Sequence, residues 1–214
     1  MGKLGDNQGF TLVEMALVLI IIGIIIGAIV KGKDLVRGAE QKKIYSKFAN
    51  GWRLAYLNFY DRTGKILGDM NNGTAAGQDG MADTDPGNTG AITAAGQTAL
   101  TAGSLPNSNG LNTVGLDTPV TNVPTVAYQY RYVNSKGGTN TLDIAFDWDA
   151  TNNYNFMRIN NIPAELAIAL DTMIDGEADG TKGDFVKSDG LAWDASDATL
   201  GPATVNVAHW KMQF

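Results

Sequence analysis

The feature that most constrains this chain is Phe10–Val30, FTLVEMALVLIIIGIIIGAIV, an apolar run broken by one carboxylate, Glu14. A helix of roughly 20 apolar residues spans the hydrocarbon core of a bilayer. A cleaved secretory signal has a shorter apolar stretch followed by a small-residue cut site. This run is longer and leads directly into a charged helical pattern. Glu14 breaks the ordinary readings. A carboxylate inside a membrane-length helix costs about 2.5–3.5 kcal/mol on insertion scales, and nothing in Met15–Val30 offers it a counter-charge. Two readings stay open: a residue solvated near the membrane surface, or a functional carboxylate whose partner comes from elsewhere.

The helical pattern continues from Lys31 to about Thr63. Ile44, Phe48, Trp52, Ala55 and Phe59 recur at helical spacing along one face, and Lys42, Lys43, Lys47, Arg53 and Arg62 fall mostly elsewhere. Such an amphipathic stretch requires a globular domain against its stripe. From Phe10 to Thr63 a rise of 1.5 Å per residue gives about 80 Å, more than one small domain covers. The first half therefore belongs in lipid or among other subunits, the second half on its own domain. Gly23, Gly27, Gly32 and Gly38 each cost roughly 1 kcal/mol relative to Ala, but small residues permit close helix approach in membranes. Trp52, Tyr56, Phe59 and Tyr60 read as a helix–sheet core rather than as a path for electrons.

The remainder alternates between turn formers and strands. Residues 64–125 are rich in Gly, Thr and Asn, with room for one short helix within 91–103, and read as a long decorated surface loop. Val126–Val133 and Leu142–Trp148 alternate as half-buried strands joined through Ser135–Gly138. Asn153–Ile159 and Thr204–Phe214 read as further strands, and Pro163–Ile174 as a helix with Pro in its first turn. An antiparallel sheet packed on the long helix follows, an α+β arrangement.

Charge and composition exclude several functions. The 214 residues carry a formal net charge of -6, which opposes nucleic-acid binding and a broad grip on anionic lipid. With no cysteine there is neither a disulfide nor a thiolate metal site. The one histidine, His209, sits in the expected terminal strand, at the surface or the core edge, and leaves a His-dependent triad or a His-cluster metal site very little material. Asp171, Asp175, Asp179 and Asp184 crowd a glycine-rich turn. Oxygen ligands of this kind suit calcium, and a solvated acidic turn is the competing reading. Asp143, Asp147 and Asp149 fall on the polar face of one strand and read as solvated rather than as paired catalytic acids. No phosphate loop, nucleophile elbow or HExxH motif is present. The expectation is a non-enzyme with no obligatory cofactor.

Gly9-Phe10-Thr11-Leu12-Val13-Glu14, followed by a membrane-length apolar run, resembles the processing motif of type IV prepilins and type II secretion pseudopilins. The resemblance implies a leader, residues 1–9, removed by a prepilin peptidase after Gly9. It further implies N-methylation of Phe10 and a role for Glu14 in assembly. It implies a pilin-like fold divided into a filament-core helix over 10–30, its amphipathic continuation over 31–63, the variable region 64–125 and a C-terminal sheet region 126–214. The partners implied are the inner-membrane assembly platform, the membrane as host of the precursor, and further copies in a helical filament that is periplasmic or extracellular. A membrane-anchored enzyme or binding domain is the alternative from another class.

Overall fold

The computed structural model describes residues 10–69, 79–84, 92, 94–101, 110–194 and 206–212. The leader and Gly9 lie outside the described residues, as do much of the expected surface loop and both ends of the expected last strand. The chain divides into two compact units, Met1–Glu40 and Gln41–Phe214.

The first unit holds most of α1 (Leu12–Lys43), of which no residue is buried. Leu12 is 91% exposed and Leu35 78% exposed, so among the described residues the apolar surface of this helix finds no cover. By length and composition the helical stretch is long and apolar enough to cross a membrane.

The second unit begins in the last turn of α1. Helical hydrogen bonding widens to a π-helix over Ile44–Ala49 and returns to α2 (Asn50–Thr63). Residues spaced by four drift around an α-helix of 3.6 residues per turn, and the wider turn opposes that drift. Ile44, Phe48, Trp52, Tyr56 and Phe59 are consequently all fully buried. α2 ends where Gly64 takes a left-handed conformation (φ 68°) and donates its N–H to the Tyr60 carbonyl at 2.7 Å.

Five antiparallel strands face this helical segment: β1 (Gln129–Val133), β2 (Thr139–Asp149), β3 (Tyr154–Ile162), β4 (Phe185–Lys187) and β5 (Asn206–Lys211), in the order β1-β2-β3-β5-β4. Alternation sends Tyr130, Tyr132, Leu142, Ile144, Phe146, Met157, Ile159, Ala208 and Trp210 to one buried cluster with the helix. Aromatic contacts join the layers, with Phe48 and Tyr130 ring centroids 5.2 Å apart and Tyr56 stacked on Phe146 at 5.1 Å. The short helices α3 (Ala94–Thr101) and α4 (Ala164–Ile174) complete the described elements, with a 3₁₀ turn at Leu111–Val114. Pro163 is extended and precedes α4 as its N-cap, not its first turn. The short β4 was not expected, because three residues carry too little alternation to read.

The polar face of the sheet departs from expectation. Asp147 is only 7% exposed and pairs with the fully buried Arg158 at 3.2 Å. Asp143 is partly buried, its carboxyl pushed up by burial despite hydrogen bonds from Gln129 and Asn161. These two carboxylates are thus packed rather than solvated, because the strand opposite supplies Arg158 and Asn161. Asp149 alone is spent on a turn, accepting bonds from the backbone of Thr151 and Asn152 and from the Asn152 amide.

The outer edge of β1 is closed by side chains. Asn122 accepts from the Arg131 N–H at 2.7 Å and donates to the Arg131 carbonyl at 2.8 Å, as a neighbouring strand would. The Thr121 hydroxyl donates to the Gln129 carbonyl. Beyond β1 the same edge of β2 is met by Asp83 and Thr84, the Thr84 N–H donating to the Phe146 carbonyl at 3.1 Å.

Candidate functional site

The start of α1 is organised by a contact among Thr11 and Glu14. Thr11 precedes the first helical residue, and its backbone N–H and hydroxyl donate to Glu14 Oε2 at 2.8 and 2.9 Å. The Glu14 N–H in turn donates to Thr11 Oγ1 at 3.3 Å. This is a capping box, in which the cap residue and the third helical residue satisfy each other's exposed backbone donors. The Thr-x-x-Glu spacing that signals it stands in the sequence. A search for counter-charges does not find it, because both donors are neutral groups of Thr11. Glu14 is therefore not without support in its own helix: two donors hold one of its oxygens near the positive end of the helix dipole. Phe10, 81% exposed, stands just before this box. Gly9, the other half of the expected cut site, lies outside the described residues.

The four acidic residues of the C-terminal turn are close in sequence and largely engaged by the backbone. Asp171, at the end of α4, is fully buried, and its Oδ2 accepts from the Gly180 N–H at 3.0 Å and from Trp193 Nε1 at 2.6 Å. Burial holds its carboxyl above the usual range against those two bonds. Asp175 accepts from the N–H groups of Asp184 and Phe185 at 3.1 and 2.8 Å. Asp179 accepts from Thr181 and Lys182, and these bonds hold its carboxyl low. Asp184 contributes its backbone N–H to this set. Among the described residues no group of three or more His, Cys, Asp or Glu converges as metal ligands. Asp171 Oδ1 is buried without a hydrogen-bond partner.

His209 lies on β5, on the face of the sheet away from the helix, stacked on Phe156 with ring centroids 4.1 Å apart. Burial, reinforced by the nearby Arg158 charge, pulls its imidazole down to about 4. The ring is neutral near pH 7.

Neither the curated proteins nor the solved structures give a match to this chain. Residues 5–30 match the family described as the prokaryotic N-terminal methylation motif. That span takes in Gly9, Phe10, the Thr11–Glu14 box and the apolar half of α1. The chain carries, at the head of its exposed apolar helix, the prepilin-type signature of type IV pilin-like and pseudopilin precursors.

Proposed function

We propose that this chain is a structural subunit of a type IV pilus-like filament, made as a membrane-inserted precursor and assembled after leader cleavage. One observation carries the reading. The methylation motif heads a helix whose apolar surface is left uncovered among the described residues, while the second unit has a core of its own. A helix of that kind is stable only in lipid or against its own copies. Cleavage after Gly9 by a prepilin peptidase would leave a new amine on Phe10. Placed beside the Glu14 carboxylate of a neighbouring copy, that amine neutralises a charge otherwise buried alone. Since an unpaired buried charge is far costlier than a paired one, the pair selects one register between copies. The role is structural rather than enzymatic, the site of action a membrane and then a periplasmic or extracellular filament.

Intact-mass and N-terminal peptide analysis of the protein from its native host tests this. A mature chain beginning at N-methylated Phe10 is the expected result. A chain beginning at Met1, or cut beyond Val30, overturns the reading in favour of an anchored domain. The same filament chemistry serves a pseudopilin of type II secretion, a reading favoured by the absence of any cysteine. Deletion of the gene separates the two: loss of surface filaments marks a pilin, and retention of secreted proteins in the periplasm marks a pseudopilin.

Calcium at Asp171, Asp175, Asp179 and Asp184 is a separate proposal, favoured by the partnerless buried oxygen of Asp171. A rise in the Tm of the full chain on adding calcium, reversed by chelator and absent from Asp175→Asn, supports it. An unchanged Tm rejects it.

A further inference from the structure

On the sheet face away from the helix, a cavity of about 430 Å³ opens between the β2–β3 turn and the end of β4. Its volume falls within the roughly 300–1,000 Å³ of small-molecule sites. Phe156, Val186 and His209 supply its floor, and Tyr154, Asn152 and Ser188 stand among its lining residues. Phe156 is almost wholly buried and stacked against His209, while Tyr154 meets Phe156 edge-on with centroids 6.3 Å apart. The buried Phe156 ring thus holds both His209 and Tyr154 in place, and Tyr154 is the ring that remains part-exposed at the cavity.

The charges around the cavity define what fits it. Asp149 is ionised near neutrality, since its bonds from Asn152 and Thr151 outweigh the effect of burial and hold its carboxyl low. An anion is disfavoured there, the more so because the Lys187 ammonium is taken by Asp189 at 2.9 Å. A metal ion is disfavoured as well, because both Asp149 oxygens already accept hydrogen bonds in the turn. His209 adds no positive charge. What remains is a site with apolar and aromatic walls, a rim of amide, hydroxyl and phenol groups, and one carboxylate, Asp149, whose oxygens accept hydrogen bonds from its own turn. Such groups both donate and accept, and they suit a ligand with an apolar face and hydroxyls around its edge.

We propose that this cavity binds a neutral saccharide, whose ring packs against the half-buried Tyr154 ring while Asn152 and Ser188 hydrogen-bond its hydroxyls. The activity is separate from assembly, because it uses the sheet face and no part of α1. It gives each copy a carbohydrate contact whether or not the copies form a filament.

Saturation-transfer NMR on the full chain in a non-glycosidic detergent tests the proposal, using the methyl glycosides of glucose, galactose, mannose and N-acetylglucosamine as probes. The expected result is transfer to at least one of them at millimolar concentration. Tyr154→Ala weakens that binding roughly tenfold, and Tyr154→Phe, which keeps the ring, retains it. Ser188→Trp places a bulky ring at the mouth from an exposed turn residue, outside the core, and abolishes binding. No transfer from any of the four glycosides overturns the proposal. So does binding that Ser188→Trp leaves intact.

Discussion

The indole N–H of Trp193 is donated to the buried Oδ2 of Asp171 at 2.6 Å, tying the end of α4 to a residue 22 positions further along the chain. The same oxygen holds the Gly180 N–H, and Gly180 is left-handed at φ +74°. A Cβ at Gly180 would meet the Trp193 ring at 3.0 Å. Trp193→Phe leaves the Asp171 carboxylate short of a donor and costs about 1–3 kcal/mol. Gly180→Ala meets both the crowding and the backbone penalty and costs more than about 1 kcal/mol. Melting curves give the two costs, and limited proteolysis should show new cuts within 176–194 in both variants.

Arg158 and Asp147 form an ion pair in which the arginine has no exposure at all. Removing one partner leaves the other charge buried, so Asp147→Ala is expected to destabilise by about 3–5 kcal/mol. Replacing both, as in Asp147→Leu with Arg158→Met, is expected to cost much less. Chemical denaturation of the two single variants and the double variant measures the difference. Equal losses in the single and double variants would show that the pair does not act as a unit.

His209 contributes a pH dependence of definite sign. Its folded-state value lies near 4, below the ordinary 6.5, so the folded chain holds the ring neutral while the unfolded chain protonates it. The stabilisation is complete above pH 6.5 and is lost as pH falls through about 4. The depression corresponds to at most about 3 kcal/mol. Asp143 and Asp171 act in the opposite sense, since their raised carboxyls favour the folded state as pH falls. Comparing wild type with His209→Phe cancels those terms. The stability difference between the two should change between pH 6.5 and pH 4, and a constant difference would contradict the assignment.

Thr11→Ala removes the hydroxyl half of the capping box and is expected to cost about 0.5–2 kcal/mol of local helix stability. Thr11→Ser should retain it. Amide exchange of residues 11–15 in micelles reads the effect directly, with faster exchange in the alanine variant alone.

Much of this architecture was legible in the sequence, and the failures share a cause. Ile44, Phe48, Trp52 and Phe59 announced the buried helix face through their spacing, and the Tyr130, Ile144 and Phe146 strands through alternation. Both are local patterns that repeat several times. The π-helix over Ile44–Ala49 was not legible, because the apolar spacing there reads equally well as an unbroken α-helix. Asp147 looked solvated for a related reason: its partner, Arg158, lies on another strand, and only the β2–β3 register brings the two together. Of the N-terminal signature, Phe10 and Glu14 could be read from a motif. Thr11 could have been, had neutral donors been weighed beside charged ones. The cavity could not be read at all, since its walls come from four separate strands and two turns.

The Asn122 amide that occupies the Arg131 N–H and carbonyl has a consequence for crowding. An unpaired strand edge is a template, and any two such edges at high local concentration invite runaway sheet fusion. Here Asn122 satisfies the template at Arg131 in the geometry a foreign strand would use, and Thr121 takes the Gln129 carbonyl beside it. Copies can therefore be pressed together at very high density without their sheets fusing along β1.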